Sequence, residues 1–423
     1  MSTPLRILHF STGDTTGGAA QAAYRLHRAL VGAGHDSSMI VRQKTSGSAD
    51  VEEIQPYLPR WRGRLRRLRR ALHIPQDDLG SPPPAFNLDV TPDIRRDRFY
   101  ARDGVDVIVL HSITRLLTVA EIRQIHDHYG VPVVWQLADQ APLTGGCHYS
   151  YDCDGYTRSC GRCPQLASSR EDDRSRTVWN RKDTQLAELP IVFVAASSPV
   201  VEWVRASALF GDHQVERIPA ITDARTFRPT DQTAARDLLE VPLDAKVVLL
   251  GAGALLHPRK GVVTFAPAAL TVLRDLGERN VFVLAVGGGG AELLSQLPFP
   301  GRALGMLHDD VAIALAYQAA DVYLCPSIAD AGPLMVPESL LCGTPVVAFD
   351  VGYAVDLVSD GKTGALVRTR TPADLALGLH EVLARAHGSW RDACRNVALH
   401  HAPEAVADAH IRLYRELIAA RRG

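Results

Sequence analysis

Short apolar runs of four to seven residues recur along the chain, and most are followed by stretches whose apolar positions return at helical spacing. The runs at 6–10, 106–110, 131–137 and 191–195 form one series; those at 246–250, 281–286, 322–325 and 345–349 form a second. Between them, residues 19–31, 119–129, 262–276 and 311–319 carry the period of amphipathic helices. Alternating strands and helices with continuously apolar strands predict parallel sheets covered on both faces. Two such series predict an α/β chain of two Rossmann-like, doubly wound domains.

Length agrees with this reading, since 423 residues exceed what one ordinary core organises. The break is expected near Ile218-Pro219-Ala220-Ile221, where a strand-like end meets a polar, turn-rich stretch. The expected domains are therefore 1–218 and 219–400, with 401–423 a helical tail returning to the first. A formal net charge of −1 gives no electrostatic reason to expect nucleic acid as partner. No apolar run approaches the ~18 residues of a membrane span, and the start lacks the pattern of a signal peptide, so a cytoplasmic location is expected.

Three segments carry candidate chemistry. Ser11–Ala19 follows a strand and opens a helix; Gly17 and Gly18 would let backbone N–H groups approach an anion, or would simply make a tight turn. In Gly251–Gly261, Arg259 and Lys260 are cations suited to a phosphate, or to solvent. In Pro326–Glu338 a polar loop ends a strand, and Gly332-Pro333 is expected to start a helix with proline at its first position. Asp330 and Glu338 flank that start with seven residues between them; they bind a ligand in the crevice beyond the strand ends or merely cap the helix.

The Asp330-x7-Glu338 segment, followed by Cys342-Gly343-Thr344-Pro345-Val346-Val347-Ala348, resembles the acidic motif of the family-4 retaining glycosyltransferases. The resemblance extends to Phe227-Arg228-Pro229, to Leu304-Gly305-Met306-Leu307 and to Asp360-Gly361-Lys362-Thr363-Gly364. It implies the two-domain GT-B fold and transfer of a sugar from a nucleotide diphosphate, UDP- or GDP-linked, to a glycan, lipid-linked sugar or small molecule. It further implies that Asp330 lies by the donor sugar and that Glu338 holds the ribose hydroxyls. Gly332, Pro333, Leu334 and Met335 would contact sugar and diphosphate, and the backbone of Gly305, Met306 and Leu307 would meet the base. Lys260 would face the diphosphate. The family's arginine six residues before it is replaced by Ala254, leaving Arg259 as substitute. The family's histidine after the third strand is Ala138, while His111, after the strand before it, faces the same crevice or is a plain strand-end residue. These departures keep an inactive partner subunit in view, beside a nucleotide-sugar epimerase of the same fold. No Asp-x-Asp motif accompanies the donor loop, so no catalytic metal is expected.

Two further features stand outside that frame. Cys147, Cys153, Cys160 and Cys163 fall within one loop and end in a Cys-x2-Cys knuckle. The spacing predicts a structural four-thiolate zinc site, with free thiols or two disulfides as alternatives and His148 a neighbour rather than a ligand. The loop also resembles a cysteine insert of a polysaccharide-type subgroup of the family. Seven arginines between Arg60 and Arg70 share a helical period with Trp61, Leu65, Leu68 and Leu72. Such a helix docks on an anionic membrane surface or packs on its own domain. Residues 79–93 read as a proline-rich loop.

Overall fold

The computed structural model describes residues 3–54, 86, 87, 89, 96–385 and 388–422. The arginine-rich segment lies outside the described residues, as does most of the proline-rich stretch. The chain divides into two compact units. One comprises Met1–Ala195, Val201–Arg217 and Ala407–Gly423; the other, Ala196–Val200 and Ile218–Val406.

The first unit is built on seven strands, β1 (Arg6–Gly13), β2 (Asp36–Gln43), β3 (Val51–Glu53), β4 (Val107–Leu110), β5 (Val133–Leu137), β6 (Ile191–Ala195) and β7 (Val215–Arg217). They lie in the order β3-β2-β1-β4-β5-β6-β7, every pairing parallel. The central strands β4, β5 and β6 are buried at every position, as helices on both faces require. Strand order reverses between β1 and β4, where Ile7 pairs with Val107 and Phe10 with Leu110. The loops leaving Gly13 and Leu110 therefore diverge and open a crevice at this switch point.

The second unit repeats the plan with β8 (Lys246–Ala254), β9 (Val281–Gly288), β10 (Gly301–Gly305), β11 (Val322–Cys325), β12 (Val346–Phe349) and β13 (Gly364–Val367). Their order is β10-β9-β8-β11-β12-β13, again all parallel. Here the reversal lies between β8 and β11, so the loops after Ala254 and Cys325 flank the crevice.

Local sequence sets the helix ends. Thr118 and Glu121 form a reciprocal capping box for Val119–Tyr129, which stops at Gly130 in the left-handed region (φ 60°). Asp173, Asp231, Asp309 and Thr371 cap their helices through side-chain oxygens. One start differs from expectation. The helix after the acidic loop begins at Met335, not at Pro333, and runs only to Leu341. Pro337 instead occupies its first turn, where a missing N–H costs no intrahelical bond.

Candidate active site

In the second unit, the turn after β8 carries His257, whose ring accepts a hydrogen bond from the Arg259 N–H. Gly261 closes the turn at φ 66°, and a Cβ there would lie 1.9 Å from the Pro326 carbonyl. Only glycine lets this turn press against the end of β11, and the Ile328 N–H seals the contact by donating to the Arg259 carbonyl at 3.0 Å. The docking brings three predicted residues together. Asp330 Oδ2 accepts from Lys260 Nζ and from Arg259 Nη1, each at 2.7 Å, and Arg259 also donates to the Ala329 carbonyl at 2.8 Å. Burial works to raise the Asp330 pKa, but the Lys260 and Arg259 cations outweigh it and hold the carboxylate charged. Ala254, the last residue of β8, is exposed opposite Gly288, and Arg259 reaches the cluster from five residues further on.

Beyond Asp330 the loop is shaped by close packing. A Cβ on Gly332 would sit 2.7 Å from the Tyr353 ring, and one on Gly251 would strike the Met335 methyl at 2.0 Å. Pro333 in turn packs beside Gly352, where a Cβ would lie 2.9 Å from its ring. Glu338 is buried and accepts a hydrogen bond from the Tyr317 hydroxyl at 3.0 Å. Burial, then the neighbouring Glu338 charge, raises the Tyr317 pKa well above its usual value, so the phenol stays protonated and donates. Sequence reasoning missed Tyr317; it lies on a different helix, 21 residues away, and no local spacing links the pair. Gly305, at φ 68°, ends edge strand β10, and Met306 beyond it is half exposed. Leu307 follows in the same loop, partly buried.

In the first unit, Gly17 (φ 90°) precedes the helix Gly18–Gly32 without a side-chain cap. Asp14 in the same loop is buried and accepts from the Thr45 N–H and hydroxyl and the Ser46 N–H, at 2.7–2.9 Å. Burial opposes ionisation, yet these bonds hold its pKa well below the usual range. The carboxylate thus fastens the glycine loop to the turn after β2.

His111, after β4, is buried in a cluster of histidines. Its Nε2 lies 2.9 Å from His9 Nδ1, and the two rings stack at 5.2 Å; His27 meets His9 edge-on at 6.0 Å. Burial lowers His111 and His410 to about 3 and His27 to about 4, with neighbouring histidines adding to the shift at His111. His111 is therefore neutral at physiological pH, beside a recess also lined by Trp135, Ala138, Asp139 and Lys182. Asp139 pairs with His148 Nδ1 at 2.7 Å, which places His148 with β5 rather than with the cysteines.

Cys147, Cys153, Cys160 and Cys163 line one small cavity, all as free thiols. Burial pushes Cys147 up to about 12 and Cys160 up to about 11. Among the described residues, no three or more His, Cys, Asp or Glu side chains are gathered closely enough to hold a metal ion as they stand. Nor is any described helix long and apolar enough to cross a membrane.

Residues 246–385, which include the Arg259–Lys260–Asp330 cluster and Glu338, match the family model described as "Glycosyl transferases group 1". The chain is 33% identical over 323 residues to D-inositol 3-phosphate glycosyltransferase 2 of Catenulispora acidiphila, spanning 70% of this chain and 72% of that enzyme. It is 30% identical to the D-inositol 3-phosphate glycosyltransferase of Saccharomonospora viridis, over 71% of each. Among solved structures, sucrose-phosphate synthase from Thermosynechococcus elongatus superposes with a TM-score of 0.69 at 21% identity, over 98% of this chain and all of that one. Anabaena HepE, solved in complex with UDP and glucose, gives 0.63 at 16% identity, over 98% of this chain and all of that one. The structural likenesses establish the GT-B fold, and, with a third of the aligned positions identical across more than two-thirds of an enzyme of that kind, the chain belongs to the group 1 family of glycosyltransferases.

Proposed function

We propose that the chain moves a sugar from a nucleotide diphosphate sugar to a hydroxyl acceptor with retention of configuration, and that the donor binds at the switch point of the second unit. The observation that carries this is the meeting of Arg259 and Lys260 on Asp330. Two cations against one carboxylate leave a net positive charge at a crevice where α/β sheets receive ligands. In the reaction the bond from the anomeric carbon to the diphosphate oxygen breaks, the acceptor oxygen bonds to that carbon from the same face, and the acceptor proton passes to the leaving diphosphate. The growing negative charge on the diphosphate is what Lys260 and Arg259 meet. Asp330 holds both ammonium and guanidinium in place beforehand, so little reorganisation is needed when that charge develops. Glu338, oriented by Tyr317, accepts hydrogen bonds from the ribose hydroxyls.

A UDP-linked sugar is the first donor to test, because HepE is described with UDP and UDP-glucose. A cyclic polyol is the first acceptor, following the inositol phosphate named for the relatives; a glycan or lipid-linked sugar is the alternative. On sequence we place the enzyme in the cytoplasm and its cysteine loop with the polysaccharide-type subgroup. For its arginine segment both readings stand, contact with an anionic membrane surface and packing on its own domain.

Donor binding to the full chain and to Glu338→Gln, followed by thermal shift with UDP-, GDP- and dTDP-sugars, tests the assignment. The variant should bind about ten- to a hundredfold more weakly, since charged hydrogen bonds contribute roughly 1.5–3 kcal/mol each. Unchanged affinity for every accepted nucleotide sugar would remove the donor from this site.

A further inference from the structure

The loop between β5 and the helix Arg174–Leu186 is organised around four sulfurs. Cys160 Sγ accepts the Gly145 N–H at 3.0 Å. A Cβ on Gly155 would lie 3.4 Å from Cys153 Sγ and 3.9 Å from the Cys160 Cα, so those two cysteines adjoin. Cys147 and Cys163 share a second contact cluster with Phe86 and Leu166. All four face a cavity of about 20 Å³, the size of a single small occupant.

The backbone is bent to this purpose. Between Cys160 and Cys163 the chain turns through Gly161 (φ 135°) and Arg162 (φ 46°), a tight knuckle in the left-handed region. A Cβ on Gly161 would lie 2.3 Å from the Glu171 carbonyl, and one on Gly145 would lie 2.7 Å from the Cys160 Cβ. The Cys163 N–H is held by Asp173 at 2.8 Å.

Beside the loop, the fully buried Lys182 donates to the Thr144 carbonyl at 2.7 Å and to the Ala141 carbonyl. Thr144 itself lines the cavity. Burying an ammonium is costly unless negative charge accompanies it. Four thiolates on one divalent ion carry a net charge of −2, half of which this cation, also faced by Asp89 and Asp139, can offset.

We propose that Cys147, Cys153, Cys160 and Cys163 close as thiolates on one structural zinc ion, with Lys182 as the buried counter-charge. As they stand the sulfurs line the cavity without being drawn to ligating distance. Neutral thiols have no reason to converge, because it is the cation that gathers them into a tetrahedron as their protons leave. Four sulfur ligands leave no open position, so the ion takes no part in chemistry. It fixes the loop that continues from Asp139 and so the recess beside His111.

The full chain, purified without chelator, should contain about one zinc per molecule. Exchange with cobalt(II) should give the sulfur-to-metal charge-transfer absorption and red d–d bands of a four-thiolate tetrahedral site. Cys160→Ser should abolish that spectrum, whereas Cys394→Ser, at a buried thiol of the second unit, should leave it unchanged. Lys182→Met should weaken cobalt binding by about tenfold or more, the size of one lost charge-assisted contact. If Cys160→Ser fails to fold, the parent spectrum and the Lys182→Met titration decide. A native chain that carries no zinc and develops no charge-transfer band with cobalt overturns the proposal, as do disulfides among these four residues found by mass spectrometry.

Discussion

The two units fold on nearly the same plan, yet what gathers at their switch points is opposite in character. After β8 and β11, the Arg259 and Lys260 side chains share one buried carboxylate. In the first unit the groups are His9, within β1, and His111, just after β4, in stacking contact, with His27 and His410 near, all held neutral by burial. The one carboxylate in the first glycine loop, Asp14, is consumed by Thr45 and Ser46. Topology creates a crevice in each unit, and among the described residues it is the second that gathers two cations on one carboxylate. Fold and local chemistry are thus set by different residues, so one architecture can carry unlike groups at its two switch points.

The largest effect should come from removing charge at the second switch point. Lys260→Ala is expected to lower kcat by roughly 10²–10³, the usual result of deleting one donor that faces a developing anion. Donor affinity should fall much less, because the ground-state diphosphate is already met by Arg259. Steady-state kinetics beside direct binding separates the two. A loss of affinity equal to the loss of kcat would mean the cation acts in binding alone, and the contrast drawn between the crevices would need another basis.

A second effect, on stability rather than rate, should appear in the first unit as pH falls. The clustered His9, His27, His111 and His410 have folded pKa values below the usual 6.5, so the folded state keeps them neutral while the unfolded chain protonates them. Their contribution is fully present above pH ~6.5 and is lost as pH falls from there toward their folded values. At pH 5 each histidine still neutral in the fold costs about 2 kcal/mol, from 1.36 kcal/mol per pH unit. In the second unit the comparable buried residue is His401, lowered to about 3. Limited proteolysis read by mass spectrometry across pH 7 to 4 should therefore cut the first unit before the second. Simultaneous cleavage of both units would contradict this.

The alternation of apolar runs and helical periods disclosed both doubly wound units, because central parallel strands must be apolar on both faces. It did not disclose β2, β3, β7, β10 or β13. Of these, β3 and β7 have three residues each, and β10 alternates partly buried and exposed positions along a sheet edge. Half-covered short strands look like loop. Within the candidate site, Lys260, Asp330 and Glu338 are singled out by spacing and resemblance alone. The ion pairs were not, since Arg259 and Asp330 are 71 residues apart and meet only when Gly261 permits the close approach. The histidine cluster joins β1, β4 and two helices, the last some 300 residues on. Contacts of that kind belong to topology and leave no trace in local sequence.

Tyr317 offers the finest test of how the second crevice is tuned. Its hydroxyl is the polar tip of a ring buried edge-on against Phe227 and Tyr323, at 6.2 and 6.1 Å between centroids. Tyr317→Phe keeps that packing and deletes only the bond to Glu338. If the phenol's role is to aim the carboxylate at a ribose, donor affinity should fall about three- to tenfold, the worth of one ordinary hydrogen bond. The carboxyl group itself is retained in this variant, so the loss should be smaller than for Glu338→Gln, and the double variant should lose no more than Glu338→Gln alone. Turnover at saturating donor should stay close to the parent, because Lys260 and Arg259 are untouched. Additive losses in the double variant would show that Tyr317 acts on the fold, leaving Glu338 to be oriented by other partners.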